Sequence, residues 1–143
     1  MTRYLLDTNI VSAYFRAAPD DPLVTKIAAH SGELAIASVV WHELRYGWRL
    51  LAESRRKAAL GEFLESVVRP NFPILEYDAG AADWHAHQRA LLRDQGVVPP
   101  FVDGQIAAVA GARDLTVVTE NMRHFKVFAS IRLERWPILG SGA

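Results

Sequence analysis

The chain contains no cysteine. That absence removes disulfides, thiolate nucleophiles and sulfur-ligated zinc, and it fits a reducing compartment. No apolar run reaches the roughly 18 residues of a membrane-spanning helix, and the start "MTRYLLDTNIV" lacks the long apolar stretch of a leader. A cytoplasmic protein is expected. Net charge is missing too, because sixteen Lys and Arg balance sixteen Asp and Glu. Binding to nucleic acid therefore needs a local patch of cations. Glycine-rich phosphate loops, nucleophile elbows and HExxH-type zinc frameworks do not occur. The histidines give no substitute: His85 and His87 are two apart on a predicted helix and diverge, and His30 and His42 stand alone.

What is present is a hydrophobic half of a 143-residue chain, enough to bury one core without cross-links. Short apolar runs predict strands over 3–6, 33–38, 73–77, 115–119 and 131–135. Amphipathic spacing predicts helices over 9–16, 22–30, 40–52, 54–68, 80–95 and 103–113. Trp41, Leu44, Trp48 and Leu51 form one helical stripe, read as core or subunit packing. The helices over 40–52 and 54–68 read as a hairpin joined around Glu53 and Ser54, and Pro99–Pro100 make a stiff loop. Alternating strand and helix predicts one α/β domain over 1–143, a mainly parallel sheet of about five strands flanked by helices.

Such sheets bind ligands beyond the carboxyl ends of their strands. Three acids are predicted at strand-to-helix seams: Asp7 after the first strand, Glu43 about one turn into the helix after "AIAS", and Asp103 opening "DGQIAAVAGARD". Singly, each is explained as a helix cap or a favourable dipole charge. Gathered at one sheet edge, they would repel and raise one another's pKa unless a cation lay between them. An all-oxygen set selects Mg2+ or Mn2+ over zinc.

The stretches "LLDTNIVSAYF", "SVVWHELRYGWRLL", "PPFVDGQIAAVAGARDLTVVTENMRHF" and "IRLERW" together resemble a PIN domain of the VapC/FitB toxin type over about residues 3–137. The resemblance implies a three-layer fold and a Mg2+- or Mn2+-dependent endoribonuclease. It also implies a homodimer, further assembled with a VapB-like antitoxin. Asp7, Glu43 and Asp103 match the family's three acids. Thr119 matches a hydroxyl that serves a metal-site water or a carboxylate, and Asn9 a supporting polar residue. Some relatives have a fourth acid where Asn121 stands; Asn121 carries no charge but can support the ion through its carbonyl or a water, and the adjacent Glu120 would face away if the strand continued, unless a turn redirects it.

Metal-assisted hydrolysis would use Asp7 and Asp103 as metal ligands with Glu43 assisting, and Glu43 also to orient or deprotonate water. Candidate RNA contacts are Arg45 and Arg49 on the Glu43 helix, and Arg123, His124 and Lys126 after Thr119. Arg55, Arg56 and Lys57 read as a solvated face or an antitoxin contact, and Arg132 and Arg135 have no assigned role. Rival readings are a PIN-like binding module without catalysis, for which Asn121 speaks, and a receiver domain. The receiver reading lacks the second acid after strand one, and Lys126 is misplaced for it.

Overall fold

A computed structural model describes residues 1–139. In chain order it has β1 (Tyr4–Leu6), α1 (Thr8–Arg16), α2 (Pro22–Ala29), β2 (Leu34–Ala37), α3 (Ser38–Leu50) and α4 (Arg55–Phe63). A π-helical turn over Leu64–Val68 and the short α5 (Arg69–Asn71) lead to β3 (Ile74–Leu75). Then follow α6 (Ala79–Asp94), α7 (Phe101–Arg113), β4 (Thr116–Val118), α8 (Met122–Phe125) and β5 (Arg132–Glu134).

All strand pairs are parallel, in the order β3-β2-β1-β4-β5. Every residue of β1, β2 and β4 is buried, as expected of parallel strands covered by helices on both faces. From β1 the chain winds outward to β2 and β3, then crosses back to β4 on the other side of β1. The direction of winding therefore switches between β1 and β4, and the carboxyl ends of these two strands flank the crevice where such sheets place ligands. Leu5, Leu6, Ile36, Val117 and Val118 of the sheet meet Ile10, Val11, Ile106 and Val109 of the helices in one core.

The predicted elements are present, with four differences. Helix α3 starts at Ser38, straight from β2, not at 40. Its cap residue Ala37 has no polar side chain, and the Ser38 hydroxyl instead accepts the Tyr77 N–H at 3.4 Å. Glu43 is thereby moved out of the first turn and into the second. Helix α7 starts at Phe101, with Pro100 as its cap residue, so Asp103 lies inside the first turn instead of opening the helix. The predicted 54–68 helix opens into the π turn at Leu64. Pro70 lies just beyond, where it has no N–H to return to the carbonyl of Ser66. The four-residue α8 is too short to leave a periodic signal.

The tryptophan stripe closes the α3–α4 hairpin. Leu44 is buried, and half-buried Trp48 donates its indole N–H to the Lys57 carbonyl at 2.9 Å. On the opposite side, α6 and α7 pack through glycines seven apart on one stripe of α7. A Cβ at Gly104 would lie 2.4 Å from His85 Nε2, and one at Gly111 would lie 2.3 Å from the Trp84 ring. The Trp84 ring cannot yield like a flexible chain end. Gly111→Ala should therefore cost about 1–3 kcal/mol by overpacking, despite the better helix propensity of Ala. Urea unfolding checks this, and an unchanged or higher midpoint would contradict the packing described.

Candidate active site

Asp7 follows β1 and caps α1. Its Oδ1 accepts the Thr8 N–H at 2.8 Å, so the capping role expected of it is real. Its Oδ2 accepts the Thr119 hydroxyl at 2.7 Å, from the end of the neighbouring strand β4. The same Thr119 oxygen accepts the Asn121 N–H at 2.9 Å, and Asn9 Oδ1 accepts the Glu120 N–H at 3.4 Å. Thus Asn9 and Thr119 lace the β1–α1 turn to the turn after β4. Asn121 takes part through its backbone, while its exposed side chain caps nothing in α8. Strand β4 ends at Val118, so strand alternation does not set the direction of Glu120.

Asp7 is 4 % exposed, and burial pushes its carboxyl up to about 6 from 3.8. The hydrogen bonds from Thr119 and Thr8 oppose that rise, whereas the negative charges of Asp103 and Glu43 add to it. All three acids therefore share one field. Glu43 is exposed on α3, where its Oε1 accepts the Thr8 hydroxyl at 3.2 Å. Asp103 turns Oδ2 to His124 Nδ1 at 2.9 Å. Each carboxylate thus has its own local partner. Among the described residues, no three His, Asp or Glu side chains are gathered closely enough to form a ready-made ion cage. The donor chemistry nonetheless fits a hard divalent cation. It offers carboxylate oxygens without sulfur, and like charges around a buried acid that a cation would relieve.

Two histidines have roles that sequence spacing did not show. His124 was expected at phosphates and is instead paired with Asp103. His85 is buried under the first turn of α7, against Gly104 and with its ring centroid 5.0 Å from that of Phe101. Its Nδ1 is 2.8 Å from the Tyr77 hydroxyl, and burial, reinforced by Arg89, lowers its pKa. A neutral imidazole therefore supports the helix that carries Asp103. Only the glycine directly after Asp103 hints at this close seat in the sequence.

The candidate cations differ in their surroundings. Arg45 pairs with Glu65 at 3.3 Å and stacks 4.6 Å over Trp48, and Arg49 lies 5.5 Å over the same ring. Arg123 and Lys126 are exposed on the turn after Asn121. Arg132 clamps Asp114 at the left-handed end of α7, and Arg135 donates to the Glu120 carbonyl at 3.2 Å. Beside Glu43, α1, α3 and α4 enclose a mostly apolar cleft of about 210 Å3 that includes Val11, Phe15, Leu44, Leu60 and Phe63.

A parallel sheet with a buried acid at its switch point, in the field of two more, defines a class of α/β proteins with an acidic crevice. The PIN-domain family profile matches residues 4–130, and the chain belongs to the PIN-domain family. It is 34% identical to a tRNA(fMet)-specific endonuclease VapC of Shigella flexneri, covering 95% of this chain and 99% of that one. It is 33% identical to Toxin FitB of Neisseria gonorrhoeae, covering 85% of this chain and 89% of that one. Its fold superposes on a DNA-bound VapBC structure from Salmonella typhimurium with a TM-score of 0.82 and 31% identity, over 95% and 99% of the two chains.

The raised Asp7 pKa has a consequence for stability. The folded state holds the Asp7 proton more tightly than the unfolded chain, so its ionisation penalty is absent below about pH 3.8 and complete above about pH 6. Stability attributable to Asp7 therefore falls as pH rises through that window. Asp7→Asn removes a penalty on the order of 3 kcal/mol and gives back about 1 for the disturbed Thr119 bond. Without divalent ions, the variant should melt several degrees above the parent at pH 7 and lose that lead near pH 4. An equal or lower melting temperature at pH 7 would refute a strained buried carboxylate.

Proposed function

We propose that this chain is a Mg2+- or Mn2+-dependent endoribonuclease, the toxin of a type II toxin–antitoxin pair. The observation that carries this reading is the shared field of Asp7, Glu43 and Asp103 at the β1–β4 crevice, with the buried Asp7 pushed up to about 6. Relatives named as endonuclease VapC and Toxin FitB support the reaction class, and structures titled VapBC and FitAB support an antitoxin partner.

Asp7 and Asp103 would hold the cation. When bound, such an ion supplies a more acidic water and neutralises charge on the phosphate oxygens. Thr8 and Thr119 fix both Asp7 oxygens, which presets the direction of its free lone pairs. Glu43, exposed at the rim, is the group placed to orient a water and accept its proton. Asn9 and Asn121 keep the turn after β4 beside the site through the bonds described above. Asp103 must share its carboxylate between the ion and His124.

The apolar cleft beside Glu43 is the place assigned to an antitoxin helix or extended tail, with Arg56 at its lining. A second copy of the chain is assigned to the exposed Val98, Phe101 and Val102 around the α6–α7 loop, giving a homodimer. A module that binds without cutting is the rival reading, favoured by the neutral Asn121 and by the separate partners of the three acids.

Cleavage of total cellular RNA in Mg2+ or Mn2+ decides between them. The parent should cut, excess EDTA should stop it, and Asp7→Asn and Asp103→Asn should each lose at least about a hundredfold in rate. Equal cleavage by parent and variants, or cleavage that survives EDTA, would defeat the metal mechanism. A parent that cuts nothing while Mn2+ still binds would favour the rival.

A further inference from the structure

We propose that the RNA backbone beside the cleaved bond runs through the concavity formed by Arg123, Lys126 and Arg135, and that Arg45, Arg49 and Lys57 of the α3–α4 pocket take no part. This inference rests on the ribonuclease reading above and adds the path of the substrate. The concavity, about 570 Å3, lies between α8 and β5 and includes Glu120 and His124 in its wall. His124 joins it to the acidic site through Asp103, 2.9 Å away. A strand with one phosphate at the acids can continue directly into this cationic concavity.

The charges there are available. Arg123 and Lys126 have no ion pair or hydrogen bond from their side chains among the described residues. Arg135 is held by a backbone carbonyl, which leaves its charge uncancelled. Glu120 is the single carboxylate in the wall. Three cations facing one acid make a surface that phosphates gain by approaching, through release of their counterions.

The larger α3–α4 pocket, about 660 Å3, has the same number of cations but three carboxylates to offset them. Arg45, Arg49 and Lys57 are drawn onto the Trp48 ring, at 4.6, 5.5 and 5.0 Å. Arg45 pairs with Glu65 and Lys57 with Glu53, and Glu62 also lines the wall. That surface is locally neutral, and a polyanion would have to break its ion pairs to use it.

The cationic turn is also preorganised. Buried Phe125 anchors α8, while His124 N–H and Lys126 N–H bond to the carbonyls of Asn121 and Met122 at 3.0 and 2.9 Å. Asn121 is itself tied to Thr119, the partner of Asp7. The spacing between the acids and Arg123 is thus fixed by the fold before RNA arrives, so little ordering entropy is lost on binding.

The test measures binding of a fluorescein-labelled single-stranded RNA of mixed sequence by anisotropy, over a series of salt concentrations. Asp7→Asn is the parent, so that binding is read without cleavage. Adding Arg123→Ala, Lys126→Ala and Arg135→Ala should weaken binding about 10- to 100-fold and flatten the salt slope by about 2 units. Removing three cations elsewhere, by Arg55→Ala, Arg69→Ala and Arg93→Ala, should change binding less than about twofold. Melting temperatures within a few degrees of the parent keep folding out of the result. RNA binding that is unchanged in the first triple variant would overturn the proposal. Loss of a co-expressed antitoxin in place of RNA would also overturn it and give the patch to the protein partner. Cleavage by the wild-type chain is followed in parallel. If it cuts while the triple variant binds normally, only the path is wrong; if it neither cuts nor binds RNA, the ribonuclease reading falls and the path with it.

Discussion

The hydrogen bond from Thr119 to Asp7 is the contact on which the site depends. It crosses from β4 to β1 at the point where the sheet reverses its winding, and it fixes a carboxylate that burial would otherwise neutralise. Two donors are not enough to win: desolvation still pushes Asp7 up to about 6. A core position would normally reject such a group in favour of an apolar one. Here the cost is compounded by Asp103 and Glu43, whose charges act in the same direction. An arrangement that stabilises the fold less than a leucine would is best explained by what the three acids do together.

The other two acids are held in place by residues that carry no charge. Gly104 lets α7 settle on the edge of His85, His85 meets the Tyr77 hydroxyl, and the Tyr77 N–H meets Ser38 at the start of α3. One end of this chain sits beside Asp103 and the other begins the helix of Glu43. Burial keeps His85 neutral, so the support adds no further charge to the acidic field. The placement of the two outer carboxylates is therefore tied to packing between α6, α7 and the start of α3.

These placements explain what was legible in the sequence. The strands were, because a fully buried parallel strand leaves an uninterrupted apolar run such as "YLL" or "LAIA". Asp7 and Asp103 were, because each stands where such a run or a proline pair gives way to a helix. The depth of Glu43 was not, since α3 begins after an alanine whose capping oxygen does not exist. Positions 7, 43 and 103 have no local reason to meet; their strand-to-helix seams grouped them, and the family resemblance matched the same three. His85 was dismissed as a poor metal ligand, and its structural seat could be seen only once α7 lay against it. Arg132 and Arg135 lie in the matching stretch "IRLERW" but had no role assigned from it; their partners are Asp114 and the Glu120 carbonyl, brought near by the β4–β5 pairing.

A formal charge of zero hides a separation of surfaces. In the α3–α4 pocket Arg45, Arg49 and Lys57 are drawn onto Trp48, and two of them pair with glutamates, which serves the hairpin and leaves a neutral, partly aromatic face there. On the turn after β4 the cations are left without carboxylate partners, and the fold that positions them also positions Thr119. A surface that must release a protein partner and one that must hold a polyanion need different balances of charge and apolar area. If the antitoxin takes the α1–α3–α4 cleft as proposed, it would lie against Glu43 while the cationic concavity stays intact. Control by a partner would then need no change in the chemistry of the acids, only coverage of Glu43.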